Sequence, residues 1–214
     1  MGSVVLNAKP LDLTSAKNKQ LKKRALHNVM AAKKWQLFDR NDAYRQWLGR
    51  VNLVVEYKLL DVADISEDHL FDLLVEALDG ELSNINKLED FKRFDVVTLI
   101  QPLLHWQLAT VLSQHVPERF TLPNGKRAKI DYSGSPPVVA AKLQWFFGCG
   151  ETPTVCEGKQ KLLVHLLSPA QRPLQVTQDL AGFWSGSYHA VKKDMKGRYP
   201  KHAWPDNPEQ YITD

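Results

Sequence analysis

The hydrophobic pattern of the chain changes its period near residue 116, and this change limits the folds that are available. Before that point, apolar residues recur every three or four positions, which is the spacing of amphipathic helices. After it, short apolar runs alternate with turn residues, and Asn124-Gly125 offers the backbone conformations that a tight hairpin needs. The sequence therefore predicts an α+β protein, with a mainly helical region over 1–116 and a small mixed α/β unit over 117–214.

Four helical segments are predicted in the first region. They are residues 17–38, a stretch that ends near Lys58, one that begins after Ser66 and ends at Gly80, and residues 88–115. Asp39 or Asn41 is a suitable N-cap for the second segment. Pro102 interrupts the fourth, either as a kink or in the first turn of a new helix. Residues 2–6 resemble a lone strand, which is unstable by itself and is expected to belong to a longer chain.

The second region is predicted to contain short paired strands and two helices. RFTLP and KRAKIDYS flank Asn124-Gly125 as a hairpin, and a second strand pair is expected over 161–177. Pro136-Pro137 indicates the start of a short helix that runs to Phe147. Thr177 is a candidate cap for a final helix that ends at Gly197. The strands are short and antiparallel in this prediction, and closure into a barrel is one arrangement they allow.

Charge is distributed unevenly along the chain, although the net formal charge is only +4. Residues 1–40 hold nine Lys and Arg against two Asp, a net charge of +7. Residues 56–95 hold twelve acids against four bases, and residues 185–204 hold five bases against one acid. A polyanion would be attracted to the two basic segments. The alternative is that these segments pack on the acidic middle of the same chain.

No motif for self-contained catalysis is present in the sequence. The phosphate-binding loop G-x-x-x-x-G-K-[ST] and the nucleophile motif G-x-S-x-G are absent, and Gly148-Cys149-Gly150 follows a predicted helix instead of leading into one. Cys149 and Cys156 are too few and too unusually spaced for a zinc site. We therefore predict no catalytic, cofactor-binding or metal-binding residue. The absence of a leader or a long apolar run predicts a cytoplasmic protein with no membrane partner.

The basic, aromatic segment near the C-terminus is the remaining candidate site. Cations can neutralise phosphates, aromatic rings can stack on unpaired bases, and Arg172 at a hairpin tip offers a forked guanidinium. The candidate nucleic-acid-binding residues are Arg172, Lys192, Lys193, Lys196, Arg198, Tyr199, Lys201 and Trp204. The alternative is a structural strap in which Tyr199 and Trp204 are buried anchors. Both roles are compatible if the rings point inward and the cations outward.

Several stretches resemble a known family. Residues 166–208, LLSPAQRPLQVTQDLAGFWSGSYHAVKKDMKGRYPKHAWPDNP, resemble the terminal signature of bacterial HrpB, an ATP-dependent helicase family of the DEAH/RHA group. GSVVLNAKPL at 2–11, FTLPNG at 120–125 and PPVVAAKLQWFFG at 136–148 are similar to earlier segments of the same family. The resemblance covers essentially the whole chain and implies the region that follows the two motor domains.

The resemblance implies an accessory role with two alternatives. The family's ATP-binding and DEAH motifs have no counterpart here, so ATP and Mg²⁺ would belong to the motor domains, and no cofactor is expected in this chain. In one alternative, the region binds single-stranded RNA or DNA beside the motor domains in cis. In the other, it is an interaction module that docks on the motor or on a partner protein.

Overall fold

The computed structural model describes residues 16–62 and 64–211, so the predicted strand at 2–6 lies outside the described residues. The described chain forms two compact units. The first takes residues 16–40 and 64–104, and the second takes residues 41–62 and 105–211. The predicted boundary at residue 116 divides the chain by its hydrophobic periodicity, which is a different criterion from the packing that defines these two units. That boundary stays a prediction.

The helical segments agree with the predicted order, and the architecture is α+β. The α-helices are α1 (Ala16–Lys33), α2 (Asp42–Glu56), α3 (Glu67–Leu78), α4 (Val96–Leu104), α5 (Leu108–His115), α6 (Leu180–Ser185) and α7 (Tyr188–Arg198). Short 3₁₀ helices lie at Lys34–Leu37, Leu82–Asn84, Leu88–Arg93, Leu143–Phe146 and Pro208–Gln210. Asn41 caps α2 by accepting from the backbone N–H of Tyr44, and Ser66 caps α3 through the N–H of His69.

The first unit packs around a cluster of aromatic rings. Trp35 and Phe38 follow α1, and both contact Phe71 of α3 edge-on, with centroids 5.5 and 6.3 Å apart. Phe38 also meets Phe91 at 5.5 Å. Such edge-to-face pairs add a modest attraction to the burial of apolar area. The 3₁₀ turn after α1 therefore has a packing role, because it directs the rings of Trp35 and Phe38 into the core.

The second unit contains a five-stranded mixed sheet in the order β1-β2-β3-β6-β7. Its strands are β1 (Arg119–Thr121), β2 (Arg127–Asp131), β3 (Val138–Lys142), β6 (Leu163–Leu167) and β7 (Pro173–Thr177), and a separate ribbon pairs β4 (Thr154–Val155) with β5 (Gln160–Lys161). β3 and β6 are parallel, whereas the other pairs are antiparallel. The described strands form an open sheet with β1 and β7 at its edges and show no barrel closure.

The predicted helix at 136–147 is wrong. Val138–Lys142 is a strand, in which Val139 and Ala141 are buried while Ala140 is exposed. This period-two burial lets β3 lie between β2 and β6, and only Leu143–Phe146 forms a helical turn. The apolar run was too short for its periodicity to separate the two alternatives, and the neighbouring strands decided between them.

Two helix boundaries also differ from the predictions. Pro102 lies inside α4, and the chain breaks after Leu104, so Pro102 neither kinks a long helix nor starts a new one. The predicted final helix is divided into α6 and α7 at Gly186 and Ser187. Asp179, not Thr177, is the N-cap of α6, because its carboxylate accepts from the Gly182 N–H.

In the described part of the chain, no single helix combines the length and apolar character needed to cross a membrane. The broken pair α4 and α5 reaches that length and composition only when the two helices are taken together.

Candidate nucleic-acid interface

Helices α6 and α7 place the candidate cations of the C-terminal segment. Their apolar positions form one buried stripe, made of Leu180, Phe183, Trp184, Tyr188 and Met195. The indole N–H of Trp184 donates to the carbonyl of Cys149 at 2.6 Å, which orients α6. Because this stripe faces the core, the opposite side of α7 is directed outward.

The segment after α7 is a strap that is anchored by aromatic rings. Trp204 is buried, and its indole N–H donates to the Tyr199 carbonyl at 3.0 Å. The Tyr188 hydroxyl donates to the Pro205 carbonyl at 2.8 Å, and the ring of Tyr211 meets Phe147 edge-on at 5.5 Å. Trp204 is therefore an anchor whose ring is not presented to a base, and Tyr199 is half-buried beside it.

The cations of α7 fall into two groups. Lys192 is only 15% exposed and pairs with Asp206 of the strap, and Arg198 pairs with Asp194 one turn earlier at 3.2 Å. The hydrogen bond from Lys192 holds the pKa of Asp206 below its usual value. Lys193 and Lys196 are exposed, and no ion pair involves them among the described residues. They are three residues apart and share the outward side of α7.

Lys201 and Arg172 are the other exposed cations among the predicted site residues. Lys201 lies in the turn after α7, and Arg172 lies in the turn between β6 and β7. That turn is held by the Ser168 hydroxyl, which accepts from the Arg172 backbone N–H at 3.0 Å, and by Gln171 at φ 61°. Neither cation has a carboxylate partner within residues 16–62 and 64–211.

The basic N-terminal segment has a different arrangement. In the first unit, Lys23 pairs with Asp79 at 2.5 Å, and Lys34 pairs with Asp68 at 2.6 Å. Arg40 pairs with Glu67 at 2.6 Å. These contacts support the alternative that this segment packs on the acidic middle of the chain. They leave the C-terminal cations as the stronger candidate site.

Chemistry other than charge is sparse at this site. Burial raises the pKa of both the Cys149 and Cys156 thiols to about 11, so neither is a reactive thiolate at neutral pH. Across the described ranges, no group of three or more His, Cys, Asp or Glu could hold a metal ion. The feature of this site that the structure describes is therefore its positive charge, which is suited to binding an anion.

Two groups of candidate binding residues were not identified from the sequence: His189 on α7, and the arginines of the β1–β2 hairpin. His189 lies one turn before Lys193 on the exposed side of α7, as its i, i+4 spacing could have shown. Arg119 and Arg127 are exposed on the β1–β2 hairpin and line a cleft with Phe120. Alternation along the hairpin could have placed both arginines on one face.

Comparison with known proteins identifies the family. Residues 78–208 match the family HrpB_C, described as ATP-dependent helicase C-terminal. The chain is 39% identical over 163 residues to the ATP-dependent RNA helicase HrpB of Escherichia coli strain K12. This alignment covers 74% of this chain and 20% of that protein.

Two crystal structures are similar to this chain. One is the E. coli DExH-box NTPase HrpB, with a TM-score of 0.82, 33% identity, and coverage of 96% of this chain and 25% of that chain. The other is the Escherichia coli DEAH/RHA helicase HrpB, with a TM-score of 0.72, 31% identity, and coverage of 93% and 25%. This chain spans about a fifth to a quarter of the length of these relatives. It belongs to the HrpB C-terminal family, the C-terminal region of ATP-dependent helicases of the DEAH/RHA group.

Proposed function

We propose that this region binds single-stranded nucleic acid beside a helicase motor in cis, through the exposed cations of α7 and the turns near it. The observation that carries the proposal is the unequal pairing on α7. Asp194 and Asp206 are occupied by Arg198 and Lys192, so neither acid pairs directly with Lys193 or Lys196. Exposed cations on a rigid helix are suited to phosphate contacts that are independent of base sequence.

The pairing also changes which residues we expect to bind. Of the eight sequence candidates, the exposed cations without a carboxylate partner among the described residues are Arg172, Lys193, Lys196 and Lys201. Lys192 and Trp204 support the strap, and Arg198 is partly neutralised by Asp194. Four phosphate contacts on a single strand predict a slope near −3 when log affinity is plotted against log salt, about 0.7 for each contact.

Fluorescence anisotropy with a labelled single strand of about 16 nucleotides tests this proposal. The full chain would be titrated at salt concentrations from about 50 to 200 mM. We expect measurable binding at low salt, the predicted slope, and a loss of roughly tenfold or more in affinity for the variant K193E/K196E.

A matched control carries the same charge change elsewhere. Arg24 in α1 and Lys92 are exposed and have no carboxylate partner among the described residues, so R24E/K92E should bind much more tightly than K193E/K196E. Circular dichroism would establish that all variants are folded. Equal losses in both double variants would show that net charge alone matters and would overturn the proposed site. Absence of binding by the wild-type chain at low salt would overturn the function.

A second candidate function, docking on the motor domains or on another protein, is favoured by one exposed ring. Trp106 is 80% exposed and stacks on His105, with ring centroids 6.1 Å apart. Within the second unit, the stretch 105–117 around this ring contains no Lys, Arg, Asp or Glu, and large exposed aromatic side chains are typical of protein interfaces. If W106A weakens association with a separately produced motor region while oligonucleotide binding is unchanged, docking is a function of this surface.

A further inference from the structure

A cleft of about 540 Å³ lies beside the β1–β2 hairpin, away from α7 in sequence. One side is β1, the edge strand of the sheet, and the other is the turn between β4 and β5. The end of α5 closes it, and its lining residues include His115, Arg119, Phe120, Arg127 and Glu157. The residues that line this cleft include none of the candidate cations of the α7 site.

The two arginines of the cleft are held on the same face of the hairpin. Arg119 is opposite Lys129 and Thr121 is opposite Arg127, so the two arginines are diagonal neighbours across the strands. Residues at diagonal positions are roughly 7–8 Å apart, close enough for both guanidiniums to bind one nucleic-acid strand. Both side chains are exposed, and within the described ranges neither has a carboxylate partner.

The acids around the hairpin are already engaged by other groups. Glu157 lies near His115 at 3.6 Å and Lys159 at 3.3 Å, and Glu118 accepts from Arg50 at 3.3 Å. Asp42 accepts from Lys129 at 3.3 Å. Asp131, on the same face as Lys129, accepts from Gln46 at 2.6 Å and from the Ser133 hydroxyl. The positive charge of Arg119 and Arg127 is therefore available to an incoming anion.

The edge of β1 and the ring of Phe120 indicate which anion fits. In this antiparallel pair the backbone of Phe120 is hydrogen-bonded to β2, so the backbone groups of Arg119 and Thr121 point out of the sheet. Guanidiniums, free backbone N–H groups and hydroxyls are typical phosphate donors. Phe120 alternates with Arg119 and Thr121, so its half-exposed ring lies on the opposite face of β1 and lines the same cleft across the strand edge. There it can stack on a base of a strand that follows this edge, whereas acidic side chains offer no flat ring for it.

We infer that this cleft is a second contact site for single-stranded nucleic acid, in which Arg119 and Arg127 bind backbone phosphates and Phe120 contacts a base. This inference rests on the proposed nucleic-acid binding of the chain, but the cleft is separate from the α7 cations, and the two sites can be tested independently of each other. Two contact sites on one unit would make binding depend on strand length, because only a longer strand can occupy both.

The test compares R119A/R127A with wild type in the same anisotropy assay. When the two cleft contacts are added to the four near α7, a longer labelled strand that occupies both sites should give a wild-type slope near −4, about 0.7 for each contact. On that strand we expect R119A/R127A to lose roughly tenfold in affinity and to return the slope to near −3, since two phosphate contacts disappear. R119K/R127K should recover only part of the affinity, because a Lys ammonium lacks the fork that grips phosphate. The control R24A/K92A removes two charges elsewhere and should have a small effect.

The outcomes separate this inference from the α7 proposal. If R119A/R127A binds like wild type while K193E/K196E does not, the cleft assignment is overturned and the α7 site stands. The reverse result would overturn the α7 site and keep the cleft. If a glutamate-rich peptide of equal charge displaces the oligonucleotide from K193E/K196E, which keeps the cleft, as efficiently as unlabelled oligonucleotide does, the cleft is a peptide site and the inference is wrong.

Discussion

At the scale of individual residues, the space around a glycine determines whether a larger side chain can replace it. Gly49 lies in the middle of α2, and a Cβ at that position would be 2.0 Å from the Tyr132 carbonyl oxygen. Glycine therefore sets how closely α2 approaches the end of β2. A Cβ at Gly197 in α7 would meet nothing within 4 Å, so that glycine has no comparable packing role.

These two glycines predict opposite effects of the same substitution. G49A should lower the free energy of unfolding by about 2 kcal/mol or more, because backbone must move to admit the methyl group. G197A should raise it by roughly 0.5–1 kcal/mol, because alanine has less backbone freedom to lose in a helix. Urea unfolding followed by circular dichroism measures both. Destabilisation of equal size in the two variants would contradict this account.

Asp131 is a second residue with a specific expectation. Hydrogen bonds from the Gln46 side chain and then from Ser133 lower the pKa of Asp131 to about 2. Its pKa in an unfolded chain is about 3.9, so the folded state binds the proton less readily. The resulting stability is present above about pH 4 and is lost as pH falls toward about 2.

The variant D131N isolates this contribution, because other carboxyls of the chain also have lowered pKa values. Melting temperatures of wild type and D131N would be measured from neutral pH to about pH 2. We expect the difference between them to shrink steadily as pH falls below about 4. A difference that stays constant through this range would show that Asp131 titrates normally.

Between secondary-structure elements, Arg50 links α2 to the end of α5. Its guanidinium donates to the carbonyls of Val116 at 2.7 Å and Leu112 at 3.1 Å, and it also contacts Glu118. The last carbonyls of a helix have no partner within the helix, so a buried cation there satisfies both hydrogen bonding and the helix dipole. Burial lowers the pKa of Arg50, but arginine keeps its charge at any physiological pH.

We therefore expect R50A to be one of the more damaging substitutions in the second unit. It removes the donor to the buried Val116 carbonyl, whereas the Leu112 carbonyl still accepts from the Val116 N–H at 3.1 Å, and this should cost roughly 1–3 kcal/mol. R24A, on an exposed helix surface, should change stability by no more than about 0.5 kcal/mol. Denaturant unfolding of the two variants provides the comparison, and similar losses would argue against a linking role for Arg50.

At the scale of the whole molecule, the Gly148-Cys149-Gly150 sequence forms contacts within the fold and does not have the geometry of a helicase motor's phosphate-binding loop. Such a site needs free backbone N–H groups from a glycine-rich loop at a helix start. The N–H of Gly148 is donated to the Pro208 carbonyl at 2.9 Å, and that of Cys149 to the Phe146 carbonyl at 2.9 Å. A Cβ at Gly148 would also meet Pro123 at 3.0 Å.

We predict that the isolated chain does not hydrolyse ATP, with or without single-stranded nucleic acid. A coupled assay with ATP and Mg²⁺ on purified protein measures this directly. A rate above that of buffer, which survives a further purification step and is lost on heat denaturation, would assign the chain an activity of its own.

Residue patterns along the chain were enough to establish the α+β class, the order of the helices, the hairpin at Asn124-Gly125 and the family. These features depend on local periodicity, turn chemistry and long motifs, which are all contiguous in sequence. Whether residues 138–142 form a strand depended on the neighbours β2 and β6, because a short apolar run fits either a helix or a strand.

Which cations are free was settled only by the folded arrangement. Lys192 and Lys193 are adjacent in sequence and chemically identical, yet the fold brings Asp206 to one and leaves the other exposed. Likewise, the fold leads the acids near Arg119 and Arg127 to other partners. The pairs of Lys192 with Asp206, Arg50 with Glu118 and Lys129 with Asp42 join groups that are far apart in sequence, and tertiary packing sets the distances between them.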